Sequence, residues 1–438
     1  MSKTEKFAFL GDKDEEHTID SKDLVTVIQD PAGASSTVIY VESSKTDPAA
    51  PPQVKLSKAI SPPPPSAGPD FMSGRETHVI VSAGSGTGQA GVFYEHAVKP
   101  VLDVFFHGAK NAYQVHYTAS VMSIINLTND IIFPRVNEGH LQRIILLSGD
   151  GGIVDIINSL LSRPISGSYK PPQVFLLPLG TANALFHSID IRKDNTWGLS
   201  SLPTDNHRPL PIFAARFSPG ARLLVNEAQS EEGLPKDPQT GQPTLYGAVV
   251  FSWGMHASLV ADSDTAKYRK FGVERFKMAA TEALFPADGS LPHAYKAKVC
   301  ILCTSPLGDE SWRSLPREEH MYVLATMVSN LEKTFTISPA SKPLDGSLHL
   351  VHFGPTDGNE AMRLMGLAYQ DGKHVDDPAV GYQAIEGLRI EFEGKEEDSR
   401  WRRICVDGKI VRLEEKGWVE LRKVDRHVLD VACGSPAA

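Results

Sequence analysis

Residues Ile144-Ile145-Leu146-Leu147-Ser148-Gly149-Asp150-Gly151-Gly152-Ile153-Val154-Asp155-Ile156-Ile157 pass from a strand pattern through a turn into a helix pattern. The run Ile144 to Leu147 is apolar throughout, as expected of a short strand buried on both faces. Beyond the small residues, Ile153, Val154, Ile156, Ile157, Leu160 and Leu161 fall at i, i+1, i+3, i+4, i+7 and i+8, one broad apolar face at the helical period. The pattern stops at Arg163-Pro164, because proline disfavours a helical residue before it.

Similar apolar runs recur at Val79 to Val81, Tyr113 to Tyr117 and Val174 to Leu177, roughly thirty residues apart with helical patterns between them. That is the rhythm of parallel βαβ units. After about residue 210 the rhythm is lost. Ala248 to Phe251, Lys298 to Leu302, Met321 to Met327, Ser347 to His352, Leu388 to Phe392 and Arg403 to Leu413 read as strands, and Tyr268 to Leu284 reads as a helix. The expected fold class is an α/β N-terminal domain on a parallel sheet plus a mostly β, sandwich-like C-terminal domain. The cleft between them is the default site.

The ends are less regular. Residues 1–46 hold two short β-like runs, Leu24 to Gln29 and Thr37 to Val41, and are expected to form an accessory segment. Residues 47–74 carry Pro48, Pro51, Pro52 and the block Pro62 to Pro65, and read as an extended linker. The α/β domain is then expected over 75–210, the β-rich domain over 211–425 and a tail over 426–438.

The chain has 438 residues, 41% hydrophobic and 22% charged, with a net charge of −9; its mean hydropathy is −0.19. This is the composition of a soluble globular protein, and the acidic balance argues against nucleic acid as a partner. No apolar stretch reaches the 18 or so residues of a membrane span. The opening residues lack a secretory pattern, so a reducing, cytoplasmic setting is expected. Cys300 and Cys303 form C-x-x-C within an apolar run, either core strand residues or a metal or redox pair.

Three glycine-containing loops follow strands of the first domain and lie at one sheet edge. Glycine there lets backbone N–H groups approach phosphate oxygens, and a following helix N-terminus favours negative charge. Gly86, Gly88 and Gly91 satisfy G-x-G-x-x-G, so a dinucleotide fold is a rival, but the next strand lacks the acidic residue that would hold a ribose. In Ser148 to Gly152, Asp150 is either a helix cap or the group that orients an acceptor hydroxyl or a metal. In Pro178 to Asn183, Gly180 frees the backbone while Thr181 and Asn183 offer polar groups for phosphate or ribose.

Taken together, the loops resemble the diacylglycerol kinase catalytic domain superfamily, more closely its sphingosine kinase branch. The family pattern reads roughly N-P-x-S-G-x-G-x-A, then [SG]-G-D-G, then P-x-G-[ST]-x-N. The same places here read Ser82-Ala83-Gly84-Ser85-Gly86-Thr87-Gly88-Gln89-Ala90, Ser148-Gly149-Asp150-Gly151 and Pro178-Leu179-Gly180-Thr181-Ala182-Asn183. Phe93 to Leu102 is similar to the family's proline-kinked helix. Trp253-Gly254, Asp262, Lys267-Tyr268-Arg269, Gly272 and Arg275-Phe276 are similar to the sphingosine kinase block that couples lipid and nucleotide sites. Asp345-Gly346 and Val406-Asp407-Gly408 match two later Asp-Gly elements.

The resemblance implies an ATP- and Mg²⁺-dependent kinase acting on a lipid hydroxyl, a sphingoid base above all, at a membrane surface. It places Ser85, Gly86, Thr87, Gly88, Ser148, Gly149, Gly151, Gly152, Gly180, Thr181, Asn183, Arg269, Arg275 and Asp407 at the nucleotide. It places Asp262 at the lipid head group and Asp150, with Asp345 as second candidate, at the hydroxyl proton; the metal ligands stay unassigned. Ser82-Ala83 stands for Asn-Pro, Gly152 for a Thr or apolar residue, and Lys409 for the acidic residue after the last Asp-Gly. The alternatives are a diacylglycerol or ceramide kinase, a catalytically impaired binding module, and an NAD kinase, whose family shares a Gly-Gly-Asp-Gly loop.

Overall fold

A computed structural model describes residues 6–11, 15–29, 35–44, 47, 50–59, 74–189, 194–265, 268, 270–272, 274–304 and 308–433. All four expected strands of the first domain are present, as Glu76–Val81, Gln114–Tyr117, Gln142–Ser148 and Gln173–Pro178. They pair in parallel, with Glu76–Val81 between Gln114–Tyr117 and Gln142–Ser148. Their apolar side chains alternate between two cores: Ile144 and Leu146 join one cluster, Ile145 and Leu147 another. A sheet covered on both faces is what such uninterrupted apolar strands require.

Two short strands complete this sheet, His207–Pro209 and Asp430–Ala432, the latter parallel to Gln173–Pro178. The stretch expected as a tail is therefore part of the first domain's sheet. The missed signal is the apolar run around it, in which Val428, Leu429 and Val431 are fully buried. Residues 434–438 lie outside the described residues.

The second half is a sandwich of a six-stranded and an eight-stranded sheet. Phe213, Val299, Leu388 and Leu421 of the first sheet share one core with Trp253, Val323, Leu350 and Ile404 of the second. The opposite face of the eight-stranded sheet, with Val250, Tyr322, Leu324 and Val351, joins the core that holds Ile144, Ile153 and Ile157. One apolar core thus runs across both halves. Asn158 adds a two-way clasp, donating to the Tyr246 carbonyl at 2.8 Å and accepting from its N–H at 3.0 Å. Cys300 and Cys303 lie on the strand Lys298–Thr304, where an offset of three turns them to opposite faces.

Of the expected helix, Tyr268 and the stretch Glu274–Leu284 are helical, and among the described residues of the second half two helices were not foreseen, Met255–Ser263 and Gly358–Ala368. The second has a legible start: the Asp357 side chain accepts from the Glu360 N–H, with the apolar positions Ala361, Leu364 and Ala368 buried behind it.

The N-terminal expectation is extended. Leu24–Gln29 and Ser36–Glu42 are strands, and Gln53–Ala59, inside the expected linker, is a third in the same sheet. Its residues contain no proline; the prolines flank it, and the block Pro62 to Pro65 lies outside the described residues. Val25, Ile28, Ile39 and Val41 pack in one core with Val98, Val101, Leu102 and Phe105 of the proline-kinked helical run. That run is helical over Ala90–Phe93, widens to a π turn over Tyr94–Val98 and continues as Lys99–Phe105.

Starting the chain at residue 74 should expose this face. Each such side chain contributes roughly 1.5–3 kcal/mol of burial, so the melting temperature should drop by at least ~5 °C. An unchanged melting curve would show that the N-terminal sheet does not stabilise the α/β half. Acid should also destabilise the protein. Burial pushes His256, His320 and His352 down to about 4, against roughly 6.5 in an unfolded chain. Between these values the unfolded state binds more protons, so stability is lost as pH falls from about 6.5 to 4; melting curves at pH 7.5 and 5 test the sign.

Candidate active site

The three glycine loops meet because their glycines leave room for one another. A Cβ on Gly180 would lie 2.2 Å from the Gly149 Cα, and one on Gly149 would lie 2.7 Å from the Gly180 Cα. Gly86, at φ +54°, would bring a Cβ within 2.5 Å of the Leu179 carbonyl oxygen. Ser85 Oγ accepts from the Gly149 N–H at 3.1 Å, and the Leu179 N–H donates to the Ser148 carbonyl at 3.1 Å. Gly152 has the same cause: a Cβ there would sit 2.6 Å from Ser148 Oγ. Its departure from the family pattern accompanies the tight seat of the Ser148 side chain.

Asp150 opens the helix Asp150–Leu160, yet its carboxylate serves the neighbouring loop. It accepts from the Ala184 N–H at 2.8 Å and the Leu185 N–H at 3.0 Å, capping the helix Ala184–Ser188. Burial pushes its carboxyl above the ordinary range, against the pull of those two donors. A carboxylate has room for about four hydrogen bonds, so lone pairs remain for an incoming hydroxyl. Asn183, at φ +54°, is spent within its own loop: its side chain accepts from the Gly180 N–H and donates to the Pro178 and Gly180 carbonyls.

These loops line part of a cleft of about 1500 Å³ between the two halves. Ser85, Gly86, Ser148, Gly149, Asp150, Gly151, Gly152, Gly180, Thr181, Arg275 and Asp407 all face it, as the sequence suggested. Asp407 faces it in a different capacity. Its carboxylate accepts from the backbone N–H groups of Ala248, Val249 and Val250, so it pins a strand rather than presenting free oxygens. Burial, partly offset by those bonds, pushes it up to about 7, with Asp150 adding to the rise.

Asn183 does not line the cleft, and four further candidates are not brought to it. Thr87 and Gly88 face solvent beside it. Asp345 is exposed, with both oxygens bonded to Ser347 in a local turn. Asp262 points into a separate pocket of about 330 Å³. There Arg403 at 2.8 Å and Arg400 at 3.0 Å outweigh burial and hold its carboxyl below the usual range. Arg269 lies outside the described residues. Asp264, two positions after Asp262 along the chain, does face the cleft and pairs with Arg275 at 3.2 Å.

The cleft is also walled by an apolar group, Leu259, Leu284, Phe335, Met362, Met365 and Tyr369. Three of these stand on or beside the unforeseen helix Gly358–Ala368. His256 faces the cleft as well, its Nδ1 2.7 Å from Ser252 Oγ and its ring edge-on to Tyr322. Magnesium has no ready protein cage here. Asp407 is spent on backbone N–H groups, Asp150 gives two of its lone pairs to them, Asp155 pairs with Lys409 and Asp264 with Arg275. No group of three metal-ligating side chains occurs among the described residues.

Gly180→Ala is the sharpest test of the loop junction, since the clash is with backbone that no rotamer can relieve. It should cost about 1–3 kcal/mol of stability and at least tenfold in nucleotide affinity. A variant with wild-type melting and binding would show that the loops need not touch.

The family model for the diacylglycerol kinase catalytic domain matches residues 76–214. Sphingosine kinase 1 of Mus musculus is 24% identical over 278 residues, covering 58% of this chain and 68% of the relative. Sphingosine kinase 1 of Homo sapiens is 21% identical over 361 residues, covering 75% and 85%. Among solved structures, two from Bacillus anthracis str. Sterne each cover 83% of this chain and 98% of their own at 14% identity. Their TM-scores are 0.52 and 0.50, and the second is described as a diacylglycerol kinase. The match extends past the first domain into the β-rich half, and no helix among the described residues is long and apolar enough to cross a membrane. Residues 76–214 match the diacylglycerol kinase catalytic domain and the curated relatives, at 21–24% identity, are sphingosine kinases, so the similarities of this chain are to lipid kinases.

Proposed function

We propose that the protein transfers the terminal phosphate of ATP to the hydroxyl of a sphingoid base presented at a membrane surface. The observation that carries this is the single cleft, lined both by the glycine loops and by the Met362, Met365 and Leu284 wall. The loops suit phosphates, because backbone N–H groups and the N-terminus of the Asp150 helix favour anions. The apolar wall suits a hydrocarbon chain.

Charge favours an amine-bearing lipid over an uncharged one. Asp264, Glu274 and Glu332 face the cleft together with Arg275 and Lys277; Asp264 is paired with Arg275, and a protonated amine would help to neutralise carboxylates that are otherwise costly to enclose. Burial, with Glu274 nearby, already holds the Glu332 carboxyl above its ordinary range. Asp264 takes the head-group role that the resemblance had given to Asp262. Phosphoryl transfer needs positioning and charge neutralisation more than covalent help from the protein. Asp150, with lone pairs to spare and a raised pKa, orients the lipid hydroxyl and accepts its proton. Magnesium would arrive on the nucleotide's own phosphates, and no step here is assigned to a protein-held ion.

The test is incubation of the purified chain with labelled ATP and vesicles carrying sphingosine, ceramide or diacylglycerol. Label should appear on sphingosine and fall at least a hundredfold in Asp150→Asn, with ATP binding retained. Label on diacylglycerol instead would transfer the reading to that substrate. No label on any lipid while ATP still binds would leave a nucleotide-binding module without kinase activity.

A further inference from the structure

The turn Val406-Asp407-Gly408-Lys409 enters the cleft from the β-rich half, and its last residue is a cation where the related motif has an acid. Lys409 Nζ lies 2.7 Å from Asp155 Oδ1, with side-chain exposures of 27% and 17%. The ammonium is thus shielded, yet it opens on the cleft. Asp155 follows Gly151 by four positions, so it stands on the same helix face, about 6 Å along the axis from Gly151 and about 7.5 Å from the helix start at Asp150. Lys409 thus shares the cleft with the Ser148-to-Gly152 loop and is tethered to the helix that follows it.

The other charged groups near that loop are committed. Asp150 and Asp407 are tied to backbone donors, and Arg275 stands on a different helix, paired with Asp264. Arg275, Lys277 and Lys409 are the Lys and Arg side chains lining the cleft among the described residues; the first two stand on the helix Glu274–Leu284, whereas Lys409 is tied through Asp155 to the helix that begins at Asp150. A nucleotide brings several negative charges to the glycine loops, and amide dipoles offset only part of them. A lysine ammonium is a compact point charge able to track phosphate oxygens.

We propose that Lys409 is a phosphate-binding residue of the nucleotide site, poised by Asp155 and turned from it towards the phosphates when nucleotide enters. This rests on the nucleotide reading given above. It makes the β-rich half a contributor to the phosphate seat as well as to the apolar wall. The lysine neither forms nor breaks a bond; it supplies charge.

Binding of adenosine, ADP and ATP to the full chain, measured by calorimetry with and without magnesium, tests this. Lys409→Met should weaken ADP and ATP at least tenfold and leave adenosine within twofold, since adenosine has no phosphate. Asp155→Asn, which frees the ammonium, should bind ATP as tightly as the unaltered chain or more so. Lys409→Gln is measured in parallel, so that the outcome does not hang on one variant folding, and Lys409→Arg should restore most of the affinity. ATP binding within twofold of wild type in Lys409→Met or Lys409→Gln overturns the proposal. Equal losses in Lys409→Met and Asp155→Asn overturn it too, because the pair is then only a strut between the halves. If the unaltered chain binds adenosine but gains nothing from the phosphates of ADP and ATP, the nucleotide reading falls together with this one.

Discussion

The contact between the backbones of Gly149 and Gly180 is the constraint on which the rest of the site depends. No side chain can stand at either position while the loops keep their approach, since a Cβ on Gly180 would overlap the Gly149 Cα at 2.2 Å. The approach sets the second and third loops side by side. Gly86 brings the first loop onto the same spot through the Leu179 carbonyl. Asp150 then bonds across the junction to the helix at Ala184, so the residue best suited to act on a hydroxyl also fixes the geometry of the loops. Position and chemistry are coupled in one carboxylate, which is why its replacement should be read in binding as well as in turnover.

How far the sequence carried this picture depended on whether a signal was local. The four parallel strands and the Asp150 helix announce themselves by uninterrupted apolar runs and a 3.6-residue period, and the structure has all of them. The loops were legible through their glycines, although what each glycine touches was not. Asn183 and Asp407 have residue types suited to a ligand, but their bonds are made inside the fold, a distinction that depends on neighbours far along the chain. Asp407, for instance, bonds to Ala248, Val249 and Val250 across more than 150 positions.

The errors have the same origin. Asp262 and Asp264 are near neighbours in one polar patch, and spacing alone did not say which would face the cleft. Arg400 and Arg403, far along the chain, draw Asp262 away. The strand Asp430–Ala432 was read as a tail because three residues are too few for a periodicity argument. Its place in the sheet is decided by its neighbours Gln173–Pro178 and His207–Pro209. The helix Gly358–Ala368, by contrast, carries a start signal at Asp357 and a period of its own; here the information was present in the sequence.

That returning strand has a mechanical consequence. The β-rich half leaves the catalytic sheet after His207–Pro209 and comes back to it at Asp430–Ala432, so both of its ends are anchored in the same sheet. With the Asn158–Tyr246 clasp and a shared core beneath, the cleft is framed by a closed loop of structure rather than by two bodies on a hinge. The loops of the first half contribute backbone amides. That half also brings Asp150 and Asp155, while the second half adds Arg275, Lys409, Met362 and Met365. Neither half alone offers both a phosphate seat and a hydrocarbon wall. The anchoring strand, well away from the glycine loops, is therefore what allows the two to be presented to one substrate at fixed separation.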